Sequence, residues 1–408
     1  MPETPPRVLH VVDMWRPVPS GYVTRTAGIL EHQAASGIAR PSLLVSSRQF
    51  AFGPDAAEGC ESGPVTQVPP SATERRVRRL RRWHVDARHL ARRVARAARD
   101  ADIVHVHGAS ALGRGAAVGA RAAGRPLVAE LRYDLAGAML SETFGRGAAP
   151  VEAALRARFW SYLADADAVV CASEALATLV RPRTPLPVAV VPNGVDGAAF
   201  GAVPIRRRAQ GAPLRVGSTA HALAYEGLGD LVRACAGLDG VEVVLAGEGP
   251  RTDALRALAK DLRAPVRFEA RRPYARVPDL LAGFDVFAIP RLDRTVTRHA
   301  SPIKLVEAMA AGRAVVSTDV GDMGGLLADG RGLAVPPGDR DALRAAIVRM
   351  RDDEDARLAM GGAARAHVLT ARRWMRTIEG YRAVYADALR ARASTPAATS
   401  GSTQAMRA

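Results

Sequence analysis

Short apolar runs recur along the chain, each bounded by charged or Gly/Pro-containing stretches. Residues 7–12, 42–46, 101–108, 127–131, 168–172 and 188–191 are dense in Val, Leu, Ile and Ala. Runs of this length predict strands buried on both faces, as in a parallel sheet. Between them, residues 22–36 and 151–164 carry apolar positions at helical spacing. The rhythm then repeats. Residues 214–217, 241–246, 266–269, 286–289 and 314–318 predict a second strand series. Helices are expected from Tyr225–Leu228 to near Leu238 and over 277–281. Alternating strands and helices imply α/β architecture with right-handed crossovers. A polar linker with Gly and Pro at 206–213 puts a domain boundary near it.

One stretch concentrates the chemistry. Ser301 suits a helix N-cap and Pro302 a first turn, and Leu305, Val306, Met309 and Ala310 follow at helical spacing. Gly312 stops the helix before the apolar run 314–318. A helix N-terminus offers free N–H groups and a positive dipole end to an anion. Lys304 adds a full charge there, and Glu307, one turn on, can accept hydrogen bonds from sugar hydroxyls. The plainer reading, an ordinary αβ unit with a solvated Lys and Glu, fits equally well.

Charge changes this picture. The 408 residues carry a formal charge of +16, nearly all of it arginine, since Lys260 and Lys304 are the only lysines. A basic surface favours phosphates, nucleic acid or anionic lipid. Eleven arginines lie between Arg75 and Arg99, opposed by Asp86 alone. Val77, Leu80, Ala87, Leu90, Ala91 and Val94 form an apolar stripe through them, with Trp83 near its edge, so one amphipathic helix is expected over 73–99. Its basic face is either simply solvated or set against an anionic membrane surface. Few aromatics accompany the arginines and no recognition motif occurs, so no nucleic acid partner is expected. Cys60, Cys171 and Cys235 are far apart, without metal-ligand spacing. No signal pattern or membrane-length apolar run is seen, so a cytoplasmic protein, peripheral on the inner membrane face, is expected.

Further candidates sit at strand ends. A Pro-containing loop at 13–20 leads to Gly21, which permits close backbone approach, and Arg25 follows as a solvated or phosphate-facing charge. His105 and His107 share one face of their strand, His107 nearer the carboxyl end where open α/β sheets bind ligands. A structural histidine is the alternative. Glu130-Leu131-Arg132-Tyr133-Asp134 is a charged cluster at a strand end, and Pro192-Asn193-Gly194-Val195-Asp196 is a turn.

The 301–312 stretch resembles the donor-site helix of retaining family 4 (group 1) glycosyltransferases, whose fold is GT-B: two Rossmann-like domains facing across a cleft. Ser20-Gly21-Tyr22-Val23-Thr24-Arg25-Thr26 resembles the N-terminal signature of a bacterial subgroup, and Pro192–Asp196 the family's P-N-G-V-D turn. The resemblance implies that Glu307 holds the donor ribose, that His107 reaches the donor sugar, and that Gly21, Arg25, Ser218, Arg291, Arg298, His299, Ser301, Pro302, Ile303 and Lys304 line the donor site. His107, Lys304 and Glu307 are the implied catalytic set. Tyr22, Glu130, Arg132 and Asn193 are implied on the acceptor side or in the cleft. The family's first glutamate is replaced by His299, eight residues before Glu307. Relatives place an Arg and a Lys after the strand at 214–217; here Ser218 and Glu226 stand in that region, so positive charge must come from Lys304, Arg291, Arg294 or Arg298.

The resemblance also implies an acceptor-side domain over 1–203, a donor domain over 204–370, a helix crossing back over 371–391 and a disordered tail over 392–408. The implied reaction moves a sugar from a nucleotide-sugar donor to a hydroxyl of a glycan, lipid-linked or small-molecule acceptor, with retention and without metal or cofactor. The rival readings are an epimerase or hydrolase of nucleotide-sugars on the same fold, and a non-catalytic basic protein that binds membrane or nucleic acid.

Overall fold

The computed structural model describes residues 4–51, 57–76, 86–141, 149–219 and 221–394. The first sheet has seven parallel strands: β1 (Arg7–Val12), β2 (Arg40–Val45), β3 (Val65–Gln67), β4 (Ile103–His107), β5 (Leu127–Leu131), β6 (Ala168–Cys171) and β7 (Val188–Val190), in the order β3-β2-β1-β4-β5-β6-β7. The second has six: β8 (Leu214–Thr219), β9 (Val241–Ala246), β10 (Val266–Glu269), β11 (Val286–Ile289), β12 (Ala314–Thr318) and β13 (Leu333–Val335), in the order β10-β9-β8-β11-β12-β13. These are the two Rossmann-like α/β domains expected. Strand order reverses between β1 and β4 in one sheet and between β8 and β11 in the other. Such switch points open a crevice at the carboxyl ends of the strands, where ligands bind in this architecture.

Each sheet is buried on both faces. Leu9, Val104 and Ala129 face one core and Val8, Val128 and Val170 the other. Trp374, Ile378, Tyr381, Tyr385 and Ala388 pack into that second core, so the chain's last described helix, Gly380–Ser394, lies on the first sheet. Gly28 makes room for this return: a Cβ there would lie 2.3 Å from the Trp374 ring. Val195, Phe200 and Val203, upstream of the expected division at 203/204, pack with Leu305, Met309 and Val315 in the second domain.

The basic segment is not one helix among the described residues. Ala72–Arg76 is one short helix, and Ala87–Ala97 is another that Asp86 caps by accepting from Arg88 N and His89 N. Val77, Leu80 and Trp83 lie outside the described residues, as does the expected tail beyond Ser394. Leu90, Ala91 and Val94 are buried, while Arg88, Arg92, Arg93, Arg96 and Arg99 are exposed.

Candidate functional site

The β8–β11 switch point holds a buried charge triad. Glu226 precedes Gly227, whose φ of +69° and lack of a Cβ let the loop press against Pro290, just past β11; a Cβ would lie 1.7 Å from the Pro290 carbonyl oxygen. Glu226 is thereby 6% exposed. Its Oε1 accepts from Arg291 Nη2 at 2.9 Å, and its Oε2 accepts from Lys304 Nζ. Lys304 Nζ also donates to the Thr219 carbonyl at 3.0 Å, and Arg291 Nη1 to the Ala300 carbonyl at 3.2 Å. Burial pushes the Glu226 carboxyl up, but Arg291 and Lys304 outweigh it and hold the group at about 2. Burial pulls the Lys304 ammonium down, with Glu226 opposing. One carboxylate against two cations leaves a net positive charge at the mouth of the helix Ile303–Ala310.

That helix starts differently from expectation. Pro302, not Ser301, occupies the N-cap, with no side-chain capping bond. Ser301 instead offers its carbonyl to Asn193 Nδ2 at 2.8 Å, tying the helix entry to the first domain. A second tie is Arg271 Nη1, which donates to the Pro19 carbonyl at 2.8 Å, beside the start of the helix Gly21–Ala35. Ser20 caps that helix, and a Cβ on Gly21 would meet Ile303 Cγ2 at 3.4 Å.

Glu307 lies one turn inside and is 6% exposed. Its Oε1 is buried without a hydrogen-bond partner, and the Tyr274 hydroxyl faces the carboxyl. Burial pushes the carboxyl up to about 7 from 4.5, against the downward pull of Tyr274 and Lys304. A raised carboxyl stabilises the fold fully below about pH 4.5, progressively less up to 7, and not above. Glu307→Gln is therefore expected to be more stable than the parent at pH 8 and to match it at pH 4, measured by urea titration. The same stability difference at both pH values would contradict this.

A second polar network fills the first sheet near its own switch point. Register sets His10 of β1 beside His105 of β4, and His107 beside Glu130 of β5. All four side chains are fully buried. Glu130 Oε1 accepts from Arg25 Nε at 3.0 Å and Arg132 Nε at 2.8 Å, and Oε2 accepts from the Tyr381 hydroxyl at 2.5 Å. Arg25 also donates to Asn193 Oδ1 at 3.1 Å and the Val191 carbonyl at 2.7 Å. Burial pushes Glu130 up, but Arg25 and Arg132 hold it well below the usual carboxylate range. Burial, then the neighbouring His105, keeps His10 and His107 well below the ordinary histidine range, so both rings are neutral.

His107 is thus part of this network and not of an open surface. Its Nδ1 lies 2.5 Å from Arg132 Nη2 and its Nε2 lies 2.7 Å from His10 Nδ1. Arginine can only donate, so His107 Nδ1 accepts and Nε2 carries the proton. Arg25 corrects its reading as a solvated charge: it is 2% exposed and bonded to Glu130, Asn193 and the Val191 carbonyl. Ser218 is buried and donates to the Ala288 carbonyl at 2.8 Å. Arg298 is exposed and paired with Asp293. His299 donates through Nδ1 to the Thr295 carbonyl at 2.9 Å. Tyr22 donates to the His107 carbonyl, and its ring lies 4.5 Å under the Arg132 guanidinium.

The structure therefore brings together Arg291, Lys304 and Glu307 on one side, and Tyr22, Arg25, His107, Glu130, Arg132 and Asn193 on the other. Sequence reasoning missed Tyr274, Tyr381 and Tyr385, for which no local signal exists. His10, His105 and His107 offer ligand atoms within 4.8 Å of one another. Two guanidiniums already outnumber the one carboxylate beside them, so the surroundings disfavour a dication.

Comparison with known proteins supports both domains. Residues 21–198 match the model described as Glycosyltransferase Family 4, and residues 214–353 the model described as Glycosyl transferases group 1. Together the two matches cover more than half of the chain. A phosphatidyl-myo-inositol mannosyltransferase of Mycolicibacterium smegmatis is 34% identical over 177 residues, 41% of this chain and 44% of that protein. The chain thus matches less than half the length of that relative. Among solved structures, sucrose-phosphate synthase of Thermosynechococcus elongatus aligns with a TM-score of 0.71 at 17% identity, covering 93% of this chain and 99% of that one. Anabaena HepE in complex with UDP-glucose aligns with a TM-score of 0.69 at 19% identity, covering 92% and 98%. At these identities the structural likeness establishes the GT-B fold.

Proposed function

Because this chain belongs to the family 4/group 1 glycosyltransferases, with both domains of that family present, we propose that it transfers a sugar from a nucleotide-sugar donor to an acceptor hydroxyl with retention of configuration. One observation carries the reading. Lys304, Arg291 and the carboxyl of Glu307, whose buried Oε1 has no partner, converge at the β8–β11 switch point, at the entry of one helix. Net positive charge and a helix N-terminus suit a diphosphate. A buried carboxyl with a free oxygen suits ribose hydroxyls. The UDP-glucose bound in the HepE structure supports a nucleotide-sugar as donor.

In the proposed mechanism the donor diphosphate leaves toward Lys304 and the helix N–H groups, which stabilise the charge that develops on it. The chemistry asks for no cofactor. The acceptor enters beside Tyr22 and Arg132 in the first domain. The mannosyltransferase relative, named for a phosphatidylinositol substrate, supports a lipid-linked acceptor among the glycan, lipid and small-molecule classes.

A thermal-shift panel of nucleotide-sugars tests this. At least one is expected to stabilise the protein, and Glu307→Ala is expected to abolish that shift while folding normally. A shift unchanged in Glu307→Ala would remove Glu307 from the site; no shift with any nucleotide-sugar would overturn the reading.

The helix Ala87–Ala97 adds a location. Arg88, Arg92, Arg93 and Arg96 are exposed with no acidic partner among the described residues. No described helix is long and apolar enough to cross a membrane. The proposal is attachment to an anionic membrane surface, each arginine contributing on the order of 1 kcal/mol. Sedimentation is expected with phosphatidylserine-containing vesicles and not with phosphatidylcholine alone. Equal binding to both, or to neither, would contradict it.

A further inference from the structure

We propose that Glu226 is a positioning residue, a resident counter-anion that parks Lys304 and releases it when a diphosphate arrives. The inference rests on the donor site proposed above. A carboxylate in the middle of a phosphate site repels the ligand unless it does something else there. Glu226 holds two cations that belong to different segments, Arg291 after β11 and Lys304 in the helix. The two are not held alike. Arg291, its side chain 10% exposed, uses one nitrogen of its fork on Glu226 and another on the Ala300 carbonyl, so it stays on Glu226. Lys304, its side chain 15% exposed, makes both of its contacts, to Glu226 and to the Thr219 carbonyl, through the single Nζ at the end of its stem. A flexible four-carbon stem ending in a compact charge can swing, whereas a forked guanidinium in two fixed contacts does not.

The exchange has a consequence for release. Once Lys304 turns to the diphosphate, the Glu226 charge is matched by Arg291 alone and pulls Lys304 back. Glu226 thus weakens the hold on the departing product. Removing its charge while keeping its shape is expected to tighten diphosphate binding by about tenfold, the order expected for one nearby charge at partly screened distance. It should also slow turnover by product inhibition.

The test uses inorganic pyrophosphate and the full chain labelled with 15N-lysine. Lys260 and Lys304 are the only lysines, so two Nζ signals are expected, with Lys260 as internal control. Pyrophosphate should move the Lys304 signal and leave Lys260 in place. By calorimetry Glu226→Gln should bind pyrophosphate about tenfold more tightly than the parent, and Glu226→Asp about as the parent does. A Lys304 signal that pyrophosphate does not move, or Glu226→Gln affinity equal to or weaker than the parent's, overturns the proposal. If Glu226→Gln does not fold, the Lys304 signal of the parent decides. Absence of any pyrophosphate binding to the parent overturns the donor-site reading as well; binding with an unmoved Lys304 overturns only the role of Glu226.

Discussion

Lys304→Ala is expected to lower turnover at saturating donor by about tenfold to a thousandfold, the range for loss of one charge-stabilising group. The argument is a charge count. With Lys304 present, two cations face Glu226 and one positive charge is left over for a departing diphosphate. With alanine, Glu226 and Arg291 neutralise each other and only the helix N-terminus remains. Lys304→Arg should rescue in part, because a guanidinium restores the charge in a broader shape that the parked position beside Thr219 does not match. Wild-type turnover in Lys304→Ala would mean that the helix dipole suffices and that this account of the leaving group is wrong.

The second large effect is on stability. Glu130→Gln is expected to destabilise the protein by roughly 3–5 kcal/mol, the usual cost of stripping one partner from a buried ion pair. Arg25 and Arg132 would be left side by side, 2% and 8% exposed, without a counter-charge. Tyr381 would lose its acceptor, loosening the returning helix Gly380–Ser394 from the first sheet. Urea unfolding measures this directly. A loss below about 1 kcal/mol would show that Glu130 is not the centre of the network.

The fold was largely legible because parallel strands buried on both faces write themselves as short apolar runs, as at 127–131 and 241–246. The strands missed, Val65–Gln67 and Leu333–Val335, have three residues each and partly exposed side chains, so no run marks them. The Ala- and Gly-rich helix Ser110–Ala122 has too little polar contrast to show a period. The site was legible where it is contiguous. Lys304 and Glu307 share one helix, so one stretch of sequence offers both as candidates. Glu226 lies 78 residues from Lys304, and Glu130 lies 105 from Arg25. Pairing at such separations leaves no local trace, so a buried Arg25 reads as a solvated one. His107 illustrates the same limit: alternation gives its face and strand end, but not that Arg132 and His10 occupy both ring nitrogens.

The central claim, retaining transfer from a nucleotide-sugar, is tested most directly by following the donor's anomeric proton by NMR. The donor would be the one selected in the thermal-shift panel, offered with and without candidate acceptors. The account predicts loss of the donor signal only when acceptor is present, and a new glycosidic signal with the donor's own anomeric configuration. An inverted product, or donor breakdown at the same rate without acceptor, would contradict it.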